Sequence, residues 1–174
     1  DVLWMAPTVS AQYTGYTNLG PAVQAFLNNG GRFIASGSGY TANIFNLNVI
    51  TGSYTSQDNG GATVAVNPSY ATDPLVDIAT GTAMQTPNKT YYFTLSNVGK
   101  RQLLQRTLNP TYDFVTEVNY GTGKALYLGF DFLASNALSQ QLFANAIQEY
   151  GANTTYGAYA DWLTITPDSG QVAT

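Results

Sequence analysis

Hydrophobic and polar residues follow strand and helix spacing in turn through the first third of the chain. Residues 1–6, DVLWMA, form an apolar run that predicts a buried parallel strand. Residues 18–31, NLGPAVQAFLNNGG, carry apolar side chains at helical spacing, and residues 32–36, RFIAS, predict the next strand. A short helix is predicted at 41–47. This order of elements predicts a parallel crossover connection.

The middle of the chain is richer in turn signals and predicts antiparallel pairing. The turn sequence QDNGG at 57–61 separates two strand-like segments, 48–56 and 62–68, which predicts an inserted β-hairpin. Residues 112–119 and 124–130 predict a second hairpin. Between the two hairpins, strands are predicted at 90–95 and 101–108.

The last part of the chain predicts a long helix and then a change of module. Residues 135–151, SNALSQQLFANAIQEYG, place apolar side chains on one side of a helix. Residues 152–160 predict a linker, and residues 161–174, DWLTITPDSGQVAT, predict the beginning of a following β module. The predicted α/β domain therefore covers residues 1–151.

The composition favours an uncharged surface. Charged residues make up 9% of the 174 residues, against roughly 25% in a typical soluble domain. The polar surface must come from residues such as Asn, Thr, Ser and Tyr, which is typical of proteins outside the cell. We therefore expect an extracellular location, secreted or at the cell surface. The net charge of −4 with scattered basic residues excludes nucleic acid as a partner, and no apolar run reaches the roughly 20 residues of a membrane span.

Two residue types with wide catalytic use are missing altogether. The chain has no cysteine, which excludes disulfides, a thiolate zinc site and a Cys nucleophile. It also has no histidine, the commonest general base and metal ligand. We accordingly expect neither a metal nor a cofactor.

Three segments together resemble the class I glutamine amidotransferase-like fold. They are residues 22–39 (a helix, a double glycine and a strand), residues 72–81 (TDPLVDIATG) and residues 118–147 (the closing strand and last helix). The resemblance implies an α/β three-layer sandwich around a mainly parallel, flavodoxin-like sheet. The inserted hairpin and an antiparallel hairpin before the last strand would be additions to that sheet.

Within that fold, the chain is most similar to the accessory domain found C-terminal to secreted zinc carboxypeptidases and related proteases. The tail at 161–174 resembles the first strand of an immunoglobulin-like module. The resemblance also implies that the first β-α unit is missing before Asp1, as expected for a fragment of a longer precursor.

The resemblance places Ser38 at the position of the nucleophile. Active relatives read Gly-x-Cys/Ser-x-Gly there, whereas residues 36–40 read Ser-Gly-Ser-Gly-Tyr, with the glycines displaced. A serine hydroxyl needs a base to take its proton, and the loop at 129–135, GFDFLAS, has neither the His nor the Glu of active relatives. A buried lysine of depressed pKa is an alternative base. The chain offers Lys89, Lys100 and Lys124, all in turn-like or strand-edge contexts. Ser38 is therefore predicted to be a vestigial small residue that lets strand and helix approach closely.

The carboxylates predict structural rather than catalytic or metal-binding roles. Asp58 is the single carboxylate of its turn, too few for calcium. Asp73 and Asp77 flank a short turn, where capping of backbone N–H groups is expected and a weak cation site is the alternative. Asp113 and Glu117 share a strand face but lie about 13 Å apart along the strand. That separation is too large for glycoside hydrolysis, so we expect solvated strand residues.

Loop residues supply the remaining candidates. Tyr13, Tyr16 and Tyr40 are predicted at the carboxyl ends of strands, where they could form the rim of a site for carbohydrate or peptide. Asn88 and Asn153 lie in Asn-x-Thr acceptor patterns for N-glycosylation.

Three hypotheses on function follow. The first is a non-catalytic accessory or interaction domain of a secreted multidomain protein, with a hydrolase as the parent. Its partners would be neighbouring domains of the same precursor or extracellular proteins. The second is a divergent serine hydrolase that uses Ser38 with a base from another segment. The third is a structural subunit of an extracellular surface assembly. The missing imidazole favours the first, so we expect that this domain is not itself an enzyme.

Overall fold

The computed structural model describes residues 1–5, 15–37, 42–58, 62–78, 84–87, 89–130 and 136–152. The strands are Val2–Met5 (β1), Arg32–Ser36 (β2), Gly52–Asp58 (β3), Thr63–Val66 (β4), Met84–Gln85 (β5), Thr90–Leu95 (β6), Arg101–Arg106 (β7), Asp113–Tyr120 (β8) and Gly123–Leu128 (β9). The helices are Gly15–Asn28 (α1), the single turn Ala42–Phe45 (α2) and Ala137–Ala152 (α3). Two 3₁₀ turns lie at Pro68–Tyr70 and Pro74–Val76.

The strands described here form one mixed sheet in the order β1-β2-β9-β8-β7-β4-β5. Strands β3 and β6 lie outside this linear order: β6 pairs with β8 and also with β3. Only β1 with β2 and β2 with β9 pair in parallel. The other pairings are antiparallel.

The predicted fold class, a mainly parallel flavodoxin-like three-layer sandwich, is therefore wrong. Strands outnumber helices, and most strand pairs are antiparallel. The reason is the length of the connections. A parallel crossover takes a dozen or more residues, whereas the antiparallel partners β8 and β9 are joined only by residues 121–122, and β7 and β8 only by residues 107–112.

The two predicted hairpins have different outcomes. The second is confirmed, because β8 and β9 pair antiparallel from Val115 with Leu128 to Tyr120 with Gly123. The inserted hairpin is wrong, because β3 pairs with β6, and β4 pairs with β5 and β7. The turn signal at 57–61 did not identify the partners of the strands on either side, and residues 59–61 lie outside the described residues.

Alternation along β2 and β9 divides the core between the two faces of the sheet. Phe33 and Tyr127 are buried on the face covered by α1, together with Leu27 of that helix. Ile34 and Leu126 are buried on the opposite face, which α3 covers. The helix residues that complete the two cores are Val23 and Leu27 from α1, and Leu142, Ala146 and Tyr150 from α3.

Reciprocal hydrogen bonds fix the start of α3. Asn136 Oδ1 accepts from Ser139 N at 3.1 Å, while Ser139 Oγ accepts from Asn136 N at 2.9 Å. Each side chain thus satisfies a backbone donor that the first helical turn leaves without a partner. Of the described helices, none combines the length and the apolar character that a membrane crossing requires.

Candidate functional site

The candidate site lies where the three parallel strands end. Met5 and Ala35 are register partners, as are Ser36 and Leu128, so β1, β2 and β9 have their carboxyl ends at one edge of the sheet. Open sheets of this kind bind ligands at that edge. Segments 6–14, 38–41 and 131–135 follow these strand ends and lie outside the described residues.

Most of the predicted site residues fall in undescribed segments. Ser38, Tyr13, Tyr40, Asn88 and Asn153 lie outside the described residues, so their predicted roles stay predictions. Tyr16 belongs to α1, which is all that the structure describes of it. The domain boundary at 151, the linker and the following β module stay predictions for the same reason.

The hydroxyl that the structure does describe at this edge is that of Ser36. Ser36 Oγ donates to the carbonyl oxygen of Met5 at 3.2 Å and accepts from Trp4 Nε1 at 3.1 Å. The side chain is buried. Its donor and acceptor capacities therefore serve to join β1 to β2, which is a structural use of the hydroxyl.

Gly37 shows why the residues after β2 are small. Its N–H donates to the carbonyl oxygen of Leu128 at 2.7 Å. A Cβ at this position would come within 3.3 Å of Leu128 O and of the Gly129 carbonyl carbon. Close approach of two backbones accounts for the glycine. The same reason was predicted for Ser38, which lies one residue beyond the described segment.

The three lysines that are alternative bases for Ser38 lie among the described residues, in two different settings. Lys100 Nζ lies 2.7 Å from Asp113 Oδ2 and donates to the carbonyl oxygen of Leu95 at 2.8 Å. Lys124 Nζ lies 3.1 Å from Glu117 Oε2. Lys89 is exposed. Two of these ammonium groups are bound by carboxylates and the third is exposed, and neither is the setting of a base that activates a nucleophile.

Asp113 and Glu117 were predicted to be solvated, and this is wrong. Asp113 is 0% exposed and Glu117 is 1% exposed. Both belong to β8, which lies between β7 and β9. Asp113 Oδ2 accepts from Leu95 N at 2.8 Å, and its Oδ1 accepts from Thr116 Oγ1 at 2.8 Å. Burial of each carboxylate is possible because cations and hydrogen-bond donors surround it.

Glu117 organises a group of charged and polar side chains that we call the Glu117 cluster: Asp73, Arg101, Glu117, Lys124 and Tyr150. Arg101 forms ion pairs with both carboxylates. Tyr150 donates its hydroxyl to Glu117 Oε1 at 3.0 Å. The cluster therefore ties α3 and the segment before the second 3₁₀ turn to strands β7, β8 and β9.

The Glu117 cluster lies near the amino ends of the parallel strands, whereas the candidate site lies at their carboxyl ends. Lys124 is the register partner of Arg32, near the amino ends of β9 and β2. Asp73 Oδ1 also accepts from Leu75 N at 3.0 Å, which confirms the predicted capping role. Asp77 is exposed. Among the described residues no three His, Cys, Asp or Glu side chains are grouped so that they could hold a metal ion.

The sequence contains a signal for this cluster. Asp113 and Glu117 stand in the strand sequence DFVTEVNY, among apolar residues, in a chain with few charges. A carboxylate in a central, apolar strand is expected to have a cationic partner, because burial without one is too costly. The two carboxylates are buried because β8 lies between β7 and β9, a position that the sequence left open.

Burial and charge also raise the pKa values of two tyrosines. Burial, reinforced by the neighbouring Glu117 carboxylate, raises the pKa of Tyr150 well above its usual value near 10. Burial, with a smaller contribution from the charge of Asp113, raises the pKa of Tyr127. Tyr127 donates its hydroxyl to the carbonyl oxygen of Tyr91 at 2.9 Å. Both hydroxyls act as donors, a role that ionisation would abolish.

We expect these tyrosines to make the protein sensitive to alkali. Because their pKa is raised on folding, the unfolded chain loses these protons first, above about pH 10. The unfolded state then binds fewer protons, so the free energy of unfolding falls as the pH rises, by about 1.4 kcal/mol per pH unit for each such tyrosine. Urea unfolding measured across this range should show a shallower slope for Tyr150→Phe than for the wild type. Tyr54→Phe, at a residue that is 46% exposed, is the matched control. An unchanged slope in Tyr150→Phe would contradict the assignment.

Comparison with known proteins gives similarity of fold only. No protein-family model and no curated protein sequence matches the chain. The fold is similar to the β-galactosidase of Rahnella sp. R3 (17% identity, TM-score 0.57, 87% of this chain and 23% of that one). It is also similar to the β-galactosidase of Bacillus circulans sp. alkalophilus (16%, TM-score 0.56, 87% and 23%). A third similar structure is a cytoplasmic protein of Salmonella typhimurium (13%, TM-score 0.57, 86% and 71%). The chain thus spans about a quarter of the length of each β-galactosidase.

These findings correct the expected family. The similar structures are β-galactosidases and a cytoplasmic protein, so the resemblance to glutamine amidotransferase-like accessory domains is wrong. The short motifs at 22–39, 72–81 and 118–147 describe helix, turn and strand chemistry that other mixed sheets share. Of the expected general properties, freedom from cysteine is confirmed. The comparison does not support secretion, since one similar protein is described as cytoplasmic.

Proposed function

We propose that this chain is a non-catalytic accessory or interaction domain of a larger protein. The observation that carries the proposal is the lack of any histidine or cysteine in the chain, together with the placement of its lysines. Lys100 and Lys124 are held by buried carboxylates, and Lys89 is exposed. A serine hydroxyl at the carboxyl edge of the sheet then has no described base to remove its proton.

The buried carboxylates give the same proposal independent support. A glycosidase requires one carboxyl group as a proton donor and a second as a base or nucleophile, both facing the substrate. Asp113 and Glu117 are enclosed, and each is bound to its own cations and donors. They stabilise the sheet. The similarity to β-galactosidases is a similarity of fold alone.

The length comparison supports a role beside other domains. Two of the similar structures contain this fold as 23% of a chain named as a β-galactosidase. A domain of this fold can therefore accompany a much longer enzyme, which agrees with a hydrolase as the parent protein. Composition remains the only support for a location outside the cell, and the proposed function does not depend on it.

The proposal predicts that the domain is inert towards reagents for serine hydrolases. Purified protein treated with a fluorophosphonate probe should show no more labelling than Ser38→Ala, because no described group can activate Ser38. The matched control is Ser96→Ala, which removes an exposed serine. A known serine hydrolase in the same experiment verifies the probe.

Two outcomes would overturn this proposal. One is labelling of the wild type that disappears in Ser38→Ala and persists in Ser96→Ala, which would establish the serine hydrolase hypothesis. The other is the formation of long filaments or sheets in electron micrographs, which would establish the structural-subunit hypothesis.

A further inference from the structure

Three polar side chains lie side by side near the amino ends of β2 and β9. Arg32 is the register partner of Lys124, and Lys124 is the register partner of Asn119. Neighbouring strands are about 4.8 Å apart, so side chains of this length can meet at one small group. We call Arg32, Lys124 and Asn119 the Arg32 rim. It is open to water, since Asn119 is exposed and the side chain of Lys124 is 36% exposed.

The Arg32 rim lies on the same face of the sheet as the Glu117 cluster. Arg32 stands two residues before Ile34, which is buried on the α3 face, and its register partner Lys124 shares that face. Burial raises the pKa of Tyr150, and the positive charge of Arg32 partly opposes that rise. The guanidinium group of Arg32 therefore lies beside the cluster.

The carboxylate of Glu117 has no capacity left for Arg32. An ionised carboxylate offers about four lone-pair sites. Glu117 Oε1 accepts from Tyr150 at 3.0 Å and from Lys124 at 3.3 Å. Glu117 Oε2 accepts from Lys124 at 3.1 Å and from Arg101. These four contacts fill the carboxylate.

The guanidinium group of Arg32, by contrast, has unused donors. A guanidinium carries five N–H donors. Among the described residues, that of Arg32 makes one side-chain hydrogen bond, to the carbonyl oxygen of Gly30 at 3.4 Å. It forms no ion pair with any carboxylate in the described part of the chain. The Arg32 rim thus presents positive charge and free donor capacity beside a carboxylate that is already saturated.

We propose that the Arg32 rim binds a single carboxylate group of a ligand, which the guanidinium of Arg32 holds through two parallel hydrogen bonds. The planar fork of a guanidinium matches the two oxygens of a carboxylate. Lys124 adds a second positive charge next to it, and the amide of Asn119 adds a neutral donor. Each of these groups keeps the contacts that it makes in the structure.

The local charge selects a carboxylate rather than a phosphate. The Glu117 cluster and Arg32 together contain three cations, Arg32, Arg101 and Lys124, and two carboxylates. One positive charge is therefore left, which a carboxylate neutralises. A phosphate carries close to two negative charges at neutral pH, so it would exceed this charge and would be repelled by Glu117 at close range.

A protein partner is the source of this carboxylate that fits an accessory domain, and this step rests on the proposed function. An Asp or Glu side chain carries the single charge and the planar shape that the Arg32 rim accepts. The partner would then meet this domain at the amino ends of the parallel strands. That surface is separate from the carboxyl ends, where Ser38 is expected.

Titration with sodium acetate tests the site, with the ionic strength held constant by sodium chloride. In the wild type, the NMR amide shifts of residues 31–33 and 123–125 should change and reach saturation. Arg32→Gln should raise the Kd for acetate by about tenfold or more, the usual contribution of hydrogen bonds to a charged group. Lys89→Gln removes an exposed cation elsewhere and should leave the Kd unchanged.

A second variant separates ligand binding from folding. Arg32 lies near Tyr150 in the last turn of α3, where a positive charge is favourable, so Arg32→Gln can also lower stability. Arg32→Lys keeps the charge but loses the planar pair of donors. It should weaken acetate binding while the thermal unfolding temperature stays at the wild-type value.

A hexaglutamate peptide distinguishes the two sources of a carboxylate. It should cause the same shifts as acetate at lower concentration, because several linked carboxylates raise the local concentration at the site. Binding of acetate without binding of the peptide would assign the site to a small carboxylic acid and overturn the assignment to a protein partner.

The site itself is overturned by an acetate Kd that is the same in the wild type and in both Arg32 variants, or by inorganic phosphate that binds more tightly than acetate. The reactivity of Ser38 is measured separately. Failure of acetate binding therefore leaves the non-catalytic role intact, and labelling of Ser38 would leave the carboxylate site intact.

Discussion

Replacement of Glu117 by alanine should lower the free energy of unfolding by about 3–5 kcal/mol, the usual cost of breaking a buried ion pair. Glu117 is 1% exposed and binds Arg101, Lys124 and Tyr150. Without the carboxylate, two cations remain close together, and a buried tyrosine hydroxyl loses its acceptor. Urea unfolding followed by circular dichroism measures the change.

The control for Glu117→Ala is Asp77→Ala, which removes an exposed carboxylate and should change stability little. A double substitution, Glu117→Met with Arg101→Met, should be less destabilising than the sum of its two single substitutions. The reason is that apolar residues of similar volume can replace a buried ion pair, whereas one partner left alone cannot be accommodated. A loss below about 1 kcal/mol in Glu117→Ala would contradict burial of the cluster, because that is the range of an exposed ion pair.

Gly123→Ala should destabilise the fold by about 3 kcal/mol, at the upper end of the range for overpacking. A Cβ at Gly123 would lie 2.5 Å from Gly31 O and 2.9 Å from Leu27 Cα, and closer still to Leu27 O. These atoms belong to the backbone at the end of α1, so no side-chain rotation can relieve the contact. The whole helix end would have to move away from the β8–β9 hairpin.

The control for this prediction is Gly151→Ala in α3. A Cβ there meets no atom within 4 Å, so the substitution should stabilise the helix by roughly 0.5–1 kcal/mol through backbone entropy alone. Opposite signs for the two glycines in thermal unfolding would establish that close packing, rather than glycine itself, matters at position 123. Equal small effects at both positions would show that α1 does not rest on the hairpin as described.

The two ends of the parallel strands serve different purposes in this molecule. The Glu117 cluster near the amino ends of β2 and β9 ties α3 and the segment at Asp73 to the sheet. At the carboxyl ends, the Ser36 hydroxyl is used to join β1 to β2. Charge is thus placed where it stabilises the fold. This arrangement is the reason for expecting interaction rather than catalysis.

Local patterns determined where several elements lie along the chain. The strand predicted at 90–95 is β6, and the helix predicted at 135–151 is α3, which covers Ala137–Ala152. The hairpin of β8 and β9 was predictable because a two-residue turn leaves its strands no other arrangement. The absence of histidine and cysteine, a property of the sequence alone, excluded disulfides, a thiolate zinc site and an imidazole base within this chain.

Only the tertiary structure decided which distant segments meet. Backbone hydrogen bonds are the same for any partner, so nothing in the β3 sequence names β6, and nothing in β4 names β7. The same holds for burial: Glu117 is enclosed because β8 lies between β7 and β9, and Leu3 is exposed because β1 lies at an edge. Strand order depends on the packing of both faces of the sheet at once. A periodic pattern records which face a residue takes but not which neighbour it meets.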